Sequence, residues 1–303
     1  MSEAARRCGT VAILGAPNAG KSTLLNRLVG SKVSIVSPKV QTTRARVLGI
    51  VMRGSTQLVF IDTPGIFTTP KRRLERAMVK AAWVGAADAD AVIVLIDAAR
   101  GLDADSERII DGLGATARRG RAILALNKID RVAREKLLPL AAALDQRGKF
   151  ERIFMISSLT ADGLDDLADH LAGVAPEGPW LFPEDQASDV PLRLLAAELV
   201  REQVFLQLHE ELPYAITVET ETWEERKDGS VKIDATIHVA RESHKPIVLG
   251  KGGAQVKRIG EAARRELEAL MERRVHLFLH VRVTENWSDD RERYDAIRLE
   301  FEK

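Results

Sequence analysis

GAPNAGKS, Gly15 to Ser22, lies between the apolar run VAIL (Val11–Leu14) and a helical pattern that begins near Lys21. It fits G-x-x-x-x-G-K-[ST] in the strand–loop–helix setting that a phosphate-binding loop requires. Glycines let successive backbone N–H groups converge on an anion, and the helix N-terminus adds its positive end. Lys21 can then reach the outer phosphates, and the Ser22 hydroxyl can ligate Mg²⁺. A tight turn alone would explain the glycines but not Lys21 and Ser22. Outward from the loop, VAILG, QLVFIDTPG, AVIVLIDA, AILALNKID and RIFMISS alternate with helical patterns such as Lys21–Val29, Leu74–Ala86 and Gly163–Leu171. This rhythm predicts an α/β domain with a mostly parallel, doubly wound sheet.

The 303 residues, 45% hydrophobic, are enough for two cores. The segment VAPEGPWLFPEDQASDVP (Val174–Pro191) carries four prolines and reads as a linker. Residues 1–175 are therefore expected to form the first domain, 176–190 the connection and 191–303 the second. The later pattern is helix at Leu192–Leu208, strands at Tyr214–Glu221 and Val231–Val239, helix at Ala254–Met271 and strand at Val275–Val283: a smaller α+β domain. One cysteine, Cys8, excludes an internal disulfide, and MSEAARRCGT lacks a secretory core, so a reducing cytoplasm is the expected location. The longest apolar run, AVIVLI, is far shorter than the roughly 20 residues of a membrane-spanning helix. Net charge is only +1, yet Lys245–Arg282 holds nine Lys or Arg against four Glu, a basic stripe.

Three further motifs define the first site. DTPG (Asp62–Gly65) ends an apolar run, which puts a carboxylate at the strand's C-terminal edge beside the loop. Asp62 suits the surroundings of Mg²⁺, and Gly65 can offer an N–H to a terminal phosphate; read alone, the motif is an ordinary turn. NKID (Asn127–Asp130) selects the base. An Asp carboxylate only accepts hydrogen bonds, matching the adjacent N1–H and exocyclic amine of guanine, whereas adenine presents an acceptor at N1. The Lys128 stem can cover the purine, and ISS (Ile156–Ser158) can bring backbone N–H groups to the guanine oxygen. In VQTTRARVLG, Thr42 or Thr43 can close on Mg²⁺ and the γ-phosphate, Thr43 being the preferred choice.

The order of phosphate loop, TTR, DTPG, NKID and SS resembles the translation-factor-like GTPases. The resemblance implies nucleotide contacts from Gly15, Ala16, Pro17, Asn18, Ala19, Gly20, Lys21, Ser22 and Thr23, from Asp62, Thr63, Pro64 and Gly65, from Asn127, Lys128 and Asp130, and from Ser157, Ser158 and Leu159. It implies Mg²⁺ on Ser22, Thr43 and Asp62, with Lys21, Thr43 and Gly65 serving GTP hydrolysis. After Gly65 comes Ile66, where many such GTPases have a glutamine that orients water. The rate must then come from positioning and electrostatics. In GTPases with a similar GxPNxGKS loop the asparagine can hold K⁺, which makes Asn18 the candidate ligand; the other reading is an asparagine that tolerates a left-handed turn.

VLGKGGAQVKRIG (Val248–Gly260) is a second glycine stretch, but it lacks Gly-Lys-Ser and fails G-x-G-x-x-G at Gln255. What fits is G-x-x-G over Gly250–Gly253, with Ile247, Val248 and Leu249 before it and Val256 and Ile259 at helical spacing after it. This resembles a KH module of the prokaryotic type II order, whose loop clamps about four nucleotides of single-stranded RNA. Gly250, Gly252 and Gly253 would let the backbone approach the sugar-phosphate chain, with Lys251, Lys257 and Arg258 supplying charge. The histidines His238, His244, His276 and His280 share no local metal-ligand spacing and read as strand or loop residues.

Together with REQ (Arg201–Gln203) and ELPYAI (Glu211–Ile216), these motifs resemble the bacterial Era family along essentially the whole chain. The family resemblance implies a GTPase that assists assembly of the small (30S) ribosomal subunit and 16S rRNA processing, holding single-stranded RNA near the 16S rRNA 3′ end. A monomer is the expected state, and contact with a membrane, if any, is peripheral. Two alternatives are an RNA chaperone with a silent GTPase domain and an assembly GTPase with tandem nucleotide domains. Intact Lys21, Ser22, Asp62 and Asp130 oppose the first, and the single phosphate loop opposes the second.

Overall fold

The computed structural model describes residues 6–39, 42–67, 70, 72–116, 122–148, 150–208, 212–285, 287, 290–291, 294 and 299–300. The chain forms two compact units, one of Met1–Ser34, Thr43–Asp189 and Tyr294–Lys303, the other of Ile35–Thr42 and Val190–Arg293.

In the first unit β1 (Arg7–Gly15), α1 (Lys21–Val29), β2 (Val47–Arg53), β3 (Thr56–Asp62), α2 (Arg73–Asp88), β4 (Ala91–Asp97), α3 (Ala104–Thr116), β5 (Ala122–Asn127), α4 (Arg134–Gly148), β6 (Arg152–Met155) and α5 (Leu164–Val174) follow in order. The sheet runs β2-β3-β1-β4-β5-β6. Every pairing is parallel except β2 with β3, which is antiparallel. β3 and β4 are buried at every position, as expected of strands covered on both faces. Chain order reverses across β1, which pairs with β3 on one side and β4 on the other. Doubly wound sheets open a crevice at the carboxyl ends of strands at such a reversal.

β2 is the strand that motif reading did not separate from its loop, because RVLGIVMR carries no turn signal at its start. Gly49 at its centre lies where a Cβ would meet Leu25 Cδ1 at 2.4 Å, so only glycine lets α1 press onto this edge. The proline-rich stretch is bonded to the first unit. Glu177 bridges Arg7 and Ser188 bridges Gly49, while Gln57 Oε1 accepts the N–H groups of Leu181 and Phe182 at 2.9 and 3.0 Å. Prolines remove donors, and the N–H groups of Leu181 and Phe182 find their acceptor in the Gln57 side chain.

The second unit holds α6 (Leu192–Gln207), β7 (Ile216–Glu225), β8 (Val231–Val239), α7 (Lys245–Leu249), α8 (Ala254–Met271) and β9 (Val275–Val283). Its sheet runs β7-β8-β9, antiparallel then parallel. α8 presents Ile259, Ala263 and Leu267 at four-residue spacing to the core, where they meet Val248 and the β8 side chains. Val231 closes the hairpin whose tip carries Gly229 at φ 80°. Among the described residues no helix is long and apolar enough to cross a membrane.

Candidate functional site

The first site gathers at the carboxyl ends of β1, β3, β4, β5 and β6. Gly20 takes φ 105° before α1, and a Cβ there would meet Asn127 Nδ2 at 2.4 Å. Glycine is thus required both by conformation and by the approach of the NKID strand. Asn127 uses that closeness: its Nδ2 donates to Ala19 O at 2.8 Å, and its Oδ1 accepts from Ser158 N and Ser158 Oγ, both at 2.9 Å. One buried amide thereby ties the phosphate loop to the SS segment. Lys128, at φ 64°, runs back along the loop, its ammonium donating to Asn18 O at 2.7 Å and to Asp97 Oδ2 at 2.6 Å. Asp97, at the end of β4, was not marked by any motif.

Lys21 is buried, and its ammonium donates to Gly15 O at 2.9 Å and Ala16 O at 3.0 Å. Burial pushes its pKa down to about 8, partly opposed by the charge of Asp62. Burial pushes the Asp62 carboxyl up, opposed by Lys21 and by hydroxyl donors. Those donors come from three segments. Asp62 Oδ2 accepts from Ser22 Oγ at 2.8 Å, Ser34 Oγ at 2.9 Å and Thr43 Oγ1 at 3.5 Å, and the Ser22 and Thr43 hydroxyls are 2.7 Å apart. Asp62 Oδ1 is buried without a hydrogen-bond partner. The Thr42 hydroxyl turns elsewhere, to Ser37 Oγ and Lys39 O, each at 2.6 Å. Ser34 is a participant that sequence reading missed; it is fixed by Asn26, whose Oδ1 accepts from Val33 N and Ser34 N at 2.9 Å.

In DTPG, Thr63 Oγ1 donates to Ile13 O at 2.6 Å, and Gly65 packs so closely on Pro17 that a Cβ would meet Pro17 Cα at 3.1 Å. Ile66 is fully buried in the core with Ala12, Leu14 and Ala16, and its N–H donates to Gly15 O at 3.3 Å. The Ile66 side chain therefore packs in the core and offers no hydrogen bond to a water at the loop. Asn18 sits at φ 65°, the left-handed conformation that asparagine tolerates.

At the base end, Ser157 Oγ donates to Asp130 Oδ1 at 2.6 Å, orienting the carboxylate. The N–H groups of Ser157 and Ser158 are engaged by Asp162 O at 3.0 Å and Asn127 Oδ1 at 2.9 Å. These bonds hold the loop beside Asp130, and Leu159 follows with its side chain exposed.

The second glycine stretch is an exposed tip between α7 and α8. Gly250, Gly252 and Gly253 all have positive φ, at 72°, 59° and 80°. A Cβ on Gly250 would meet Gln255 N at 2.8 Å, whereas Gly252 and Gly253 have open space around them. Gly250 thus serves the loop's own turn, and Gly252 and Gly253 leave backbone accessible. Lys251, Lys257 and Arg258 are exposed around the tip. On the sheet, His238 Nε2 lies 3.3 Å from Glu219 Oε2 and its Nδ1 is 2.9 Å from Thr284 Oγ1. Linear spacing missed this grouping with Glu221, because it spans two strands.

Residues 10–128 match the family model of the 50S ribosome-binding GTPases, and residues 211–288 match the KH domain. The chain is 59% identical to GTPase Era of Rhizobium meliloti (strain 1021) over 297 residues, covering 98% of this chain and 94% of the relative. It is 58% identical to GTPase Era of Agrobacterium fabrum, covering 97% and 92%. A crystal structure of an alanine variant of Era from Aquifex aeolicus bound to GDP and AlF4⁻ superposes with a TM-score of 0.90 at 39% identity, covering 96% of this chain and 98% of that one. Era in complex with MgGDPNP and nucleotides 1506–1542 of 16S ribosomal RNA matches with the same score, identity and coverage. With a sheet and glycine loop of the nucleotide-binding kind, a KH unit and this identity along its whole length, the chain belongs to the Era GTPases.

Proposed function

We propose that the chain binds GTP between the phosphate loop and NKID, hydrolyses it with Mg²⁺ held by Ser22, Thr43 and Asp62, and uses the Gly250–Gly253 tip to hold single-stranded RNA near the 3′ end of 16S rRNA during small-subunit assembly. The observation that carries the reading is the convergence of the Ser22, Thr43 and Asp62 oxygens from three separate segments. Two hydroxyls and a carboxylate with a buried, unbonded Oδ1 are the hard oxygen donors that Mg²⁺ takes. When bound, the ion neutralises charge that builds on the phosphate oxygens. Lys21 adds its ammonium to the same oxygens, and the Gly65 N–H donates to the terminal phosphate from a position fixed by its packing on Pro17. Because Ile66 is buried, positioning by backbone and cations takes the place of a water-orienting side chain. In this reading the chain works as a monomer in the ribosome's own compartment.

In this reading Asn18 also holds K⁺ beside the phosphates. Hydrolysis should run about tenfold faster in potassium than in sodium at equal ionic strength, a barrier change of about 1.4 kcal/mol. Asn18→Gly keeps the left-handed turn and removes the amide, so steady-state rates in the two salts should converge. Equal rates already in the parent would return Asn18 to a turn role.

The RNA reading is tested at the tip. Lys251→Asp together with Gly252→Asp places carboxylates where the sugar-phosphate chain must pass and changes local charge by about −3. Gly252 has open space for a Cβ, and aspartate tolerates its φ of 59°, so the circular dichroism melt should match the parent. Affinity for a single-stranded oligomer of the 16S rRNA 3′ end should fall about tenfold or more. A duplex of the same sequence should bind poorly to both proteins, since the module reads splayed bases. Equal single-strand binding by the double variant at matched salt would sink the assignment.

A further inference from the structure

REQ, Arg201–Gln203, is a run of polar residues on a helix, where at least one would ordinarily face water. All three are buried, Arg201 to 1% exposure. Gln203 bonds to Glu266 and Gln207, whereas Arg201 and Glu202 meet the segment that leads to Thr43. Ser34 and Thr43, at its two ends, belong to the first unit and both reach Asp62 Oδ2. Ile35–Thr42 belongs to the second unit, where Ile35 packs with Leu195 and Leu199 of α6.

Two bonds from α6 hold that segment's backbone near its ends. Glu202 Oε1 accepts the Val36 N–H at 2.7 Å. Arg201 Nη2 donates to the Thr42 carbonyl and also pairs with Glu198, while its guanidinium lies 5.2 Å from the Phe205 ring centroid. The Thr42 carbonyl and the Thr43 N–H share one planar peptide unit, so a bond to the former sets the direction in which Thr43 leaves the chain. Glu198 and Phe205 fix the guanidinium, and the guanidinium fixes the peptide plane.

We propose that Arg201 and Glu202 are positioning residues for GTP hydrolysis: by holding the backbone at Thr42 and Val36 they deliver the Thr43 hydroxyl to Ser22 and Asp62. This rests on the nucleotide reading above, since it assigns Thr43 to the metal site. The consequence is that a helix remote in sequence from every nucleotide motif sets how well the Mg²⁺ ligands assemble.

The test uses the full chain with three variants. Arg201→Lys keeps the charge and most of the stem but loses the fork that serves Glu198 and Thr42 together. Glu202→Leu removes the acceptor for Val36, and Glu202→Gln restores it. Amide hydrogen exchange over residues 35–43 should be about tenfold faster in Arg201→Lys and Glu202→Leu, the loss expected for one charge-assisted hydrogen bond. Turnover of GTP should lose about tenfold in kcat with little change in KM, and GDP affinity should stay within about twofold, because switch segments close on the γ-phosphate. Glu202→Gln should behave as the parent in all three measurements. Unchanged exchange over 35–43 in both Arg201→Lys and Glu202→Leu overturns the inference, as does faster exchange with kcat intact. Should Arg201→Lys fail to fold, the Glu202 pair decides alone. A parent that does not hydrolyse GTP removes the nucleotide reading, while the exchange data still judge the positioning role.

Discussion

Lys21→Ala is expected to lower kcat for GTP by roughly 10² to 10³, the scale seen when one preorganised donor to developing charge is removed. The lysine is held ready: burial and the Gly15 and Ala16 carbonyls fix its ammonium over the loop. That readiness is costly without nucleotide, because a buried ammonium has given up water for two carbonyl partners, with only the charge of Asp62 to offset the loss. The cost has a measurable sign. The folded pKa is about 8 against 10.5 for the ordinary side chain, so between those values the unfolded chain binds more protons and stability of the nucleotide-free protein rises with pH. Below pH 8 the full cost is present, on the order of 3 kcal/mol. The parent should therefore gain stability relative to Lys21→Ala as pH goes from 8 towards 10.5, and at pH 7 the variant should melt no lower than the parent. Chemical denaturation of both proteins across this range, with single-turnover GTP hydrolysis at pH 7, checks both halves. A variant that turns over GTP within a few fold of the parent would detach Lys21 from the phosphates.

What the sequence revealed and what it concealed divide along one line. The phosphate loop, DTPG and NKID are local: each packs its donors, acceptors and special φ values into a few consecutive residues, so a single stretch carries its own reading. Hence the parallel strands, the type II order of the second unit and the glycine tip were all legible. Contributions that form only through space were not. Asp97 looks like an ordinary strand end until Lys128 turns back to it. Ser34 is one serine among several until Asn26 pins its backbone and Asp62 takes its hydroxyl. The partners that hold the SS segment, Asp162 O for the Ser157 N–H and Asn127 Oδ1 for the Ser158 N–H, are likewise contained in no spacing rule. REQ stood out as a family mark with no physical meaning, since helical periodicity alone would leave part of it in water. The burial of Arg201 and Glu202, and their bonds to the segment before Thr43, come from Ile35–Thr42 belonging to the same unit as their helix.

Asp130→Asn should convert a guanine site into one that prefers xanthine. The carboxylate is presented by a short 3-10 turn after Lys128, and Ser157 Oγ occupies Oδ1 at 2.6 Å, which fixes the plane in which the acid meets a base edge. Guanine offers N1–H and an exocyclic amine side by side, two donors for one acceptor-only group. Asparagine keeps one acceptor and puts an N–H₂ opposite the other position, where guanine's amine then faces a donor. Losing a charge-assisted pair and creating a donor–donor clash should weaken GTP binding by about 3 to 4 kcal/mol, roughly 10² to 10³ in affinity. Xanthine carries a carbonyl where guanine has its amine, so the amide regains two complementary bonds and xanthosine triphosphate should bind and turn over nearly as GTP does in the parent. The remaining parts of the site are untouched by the exchange, because Asn127 ties the loop independently of Asp130. Competition binding of GTP, ATP and xanthosine triphosphate to parent and variant measures the switch. Unchanged selectivity for guanine would mean that Asp130 does not meet the base at all.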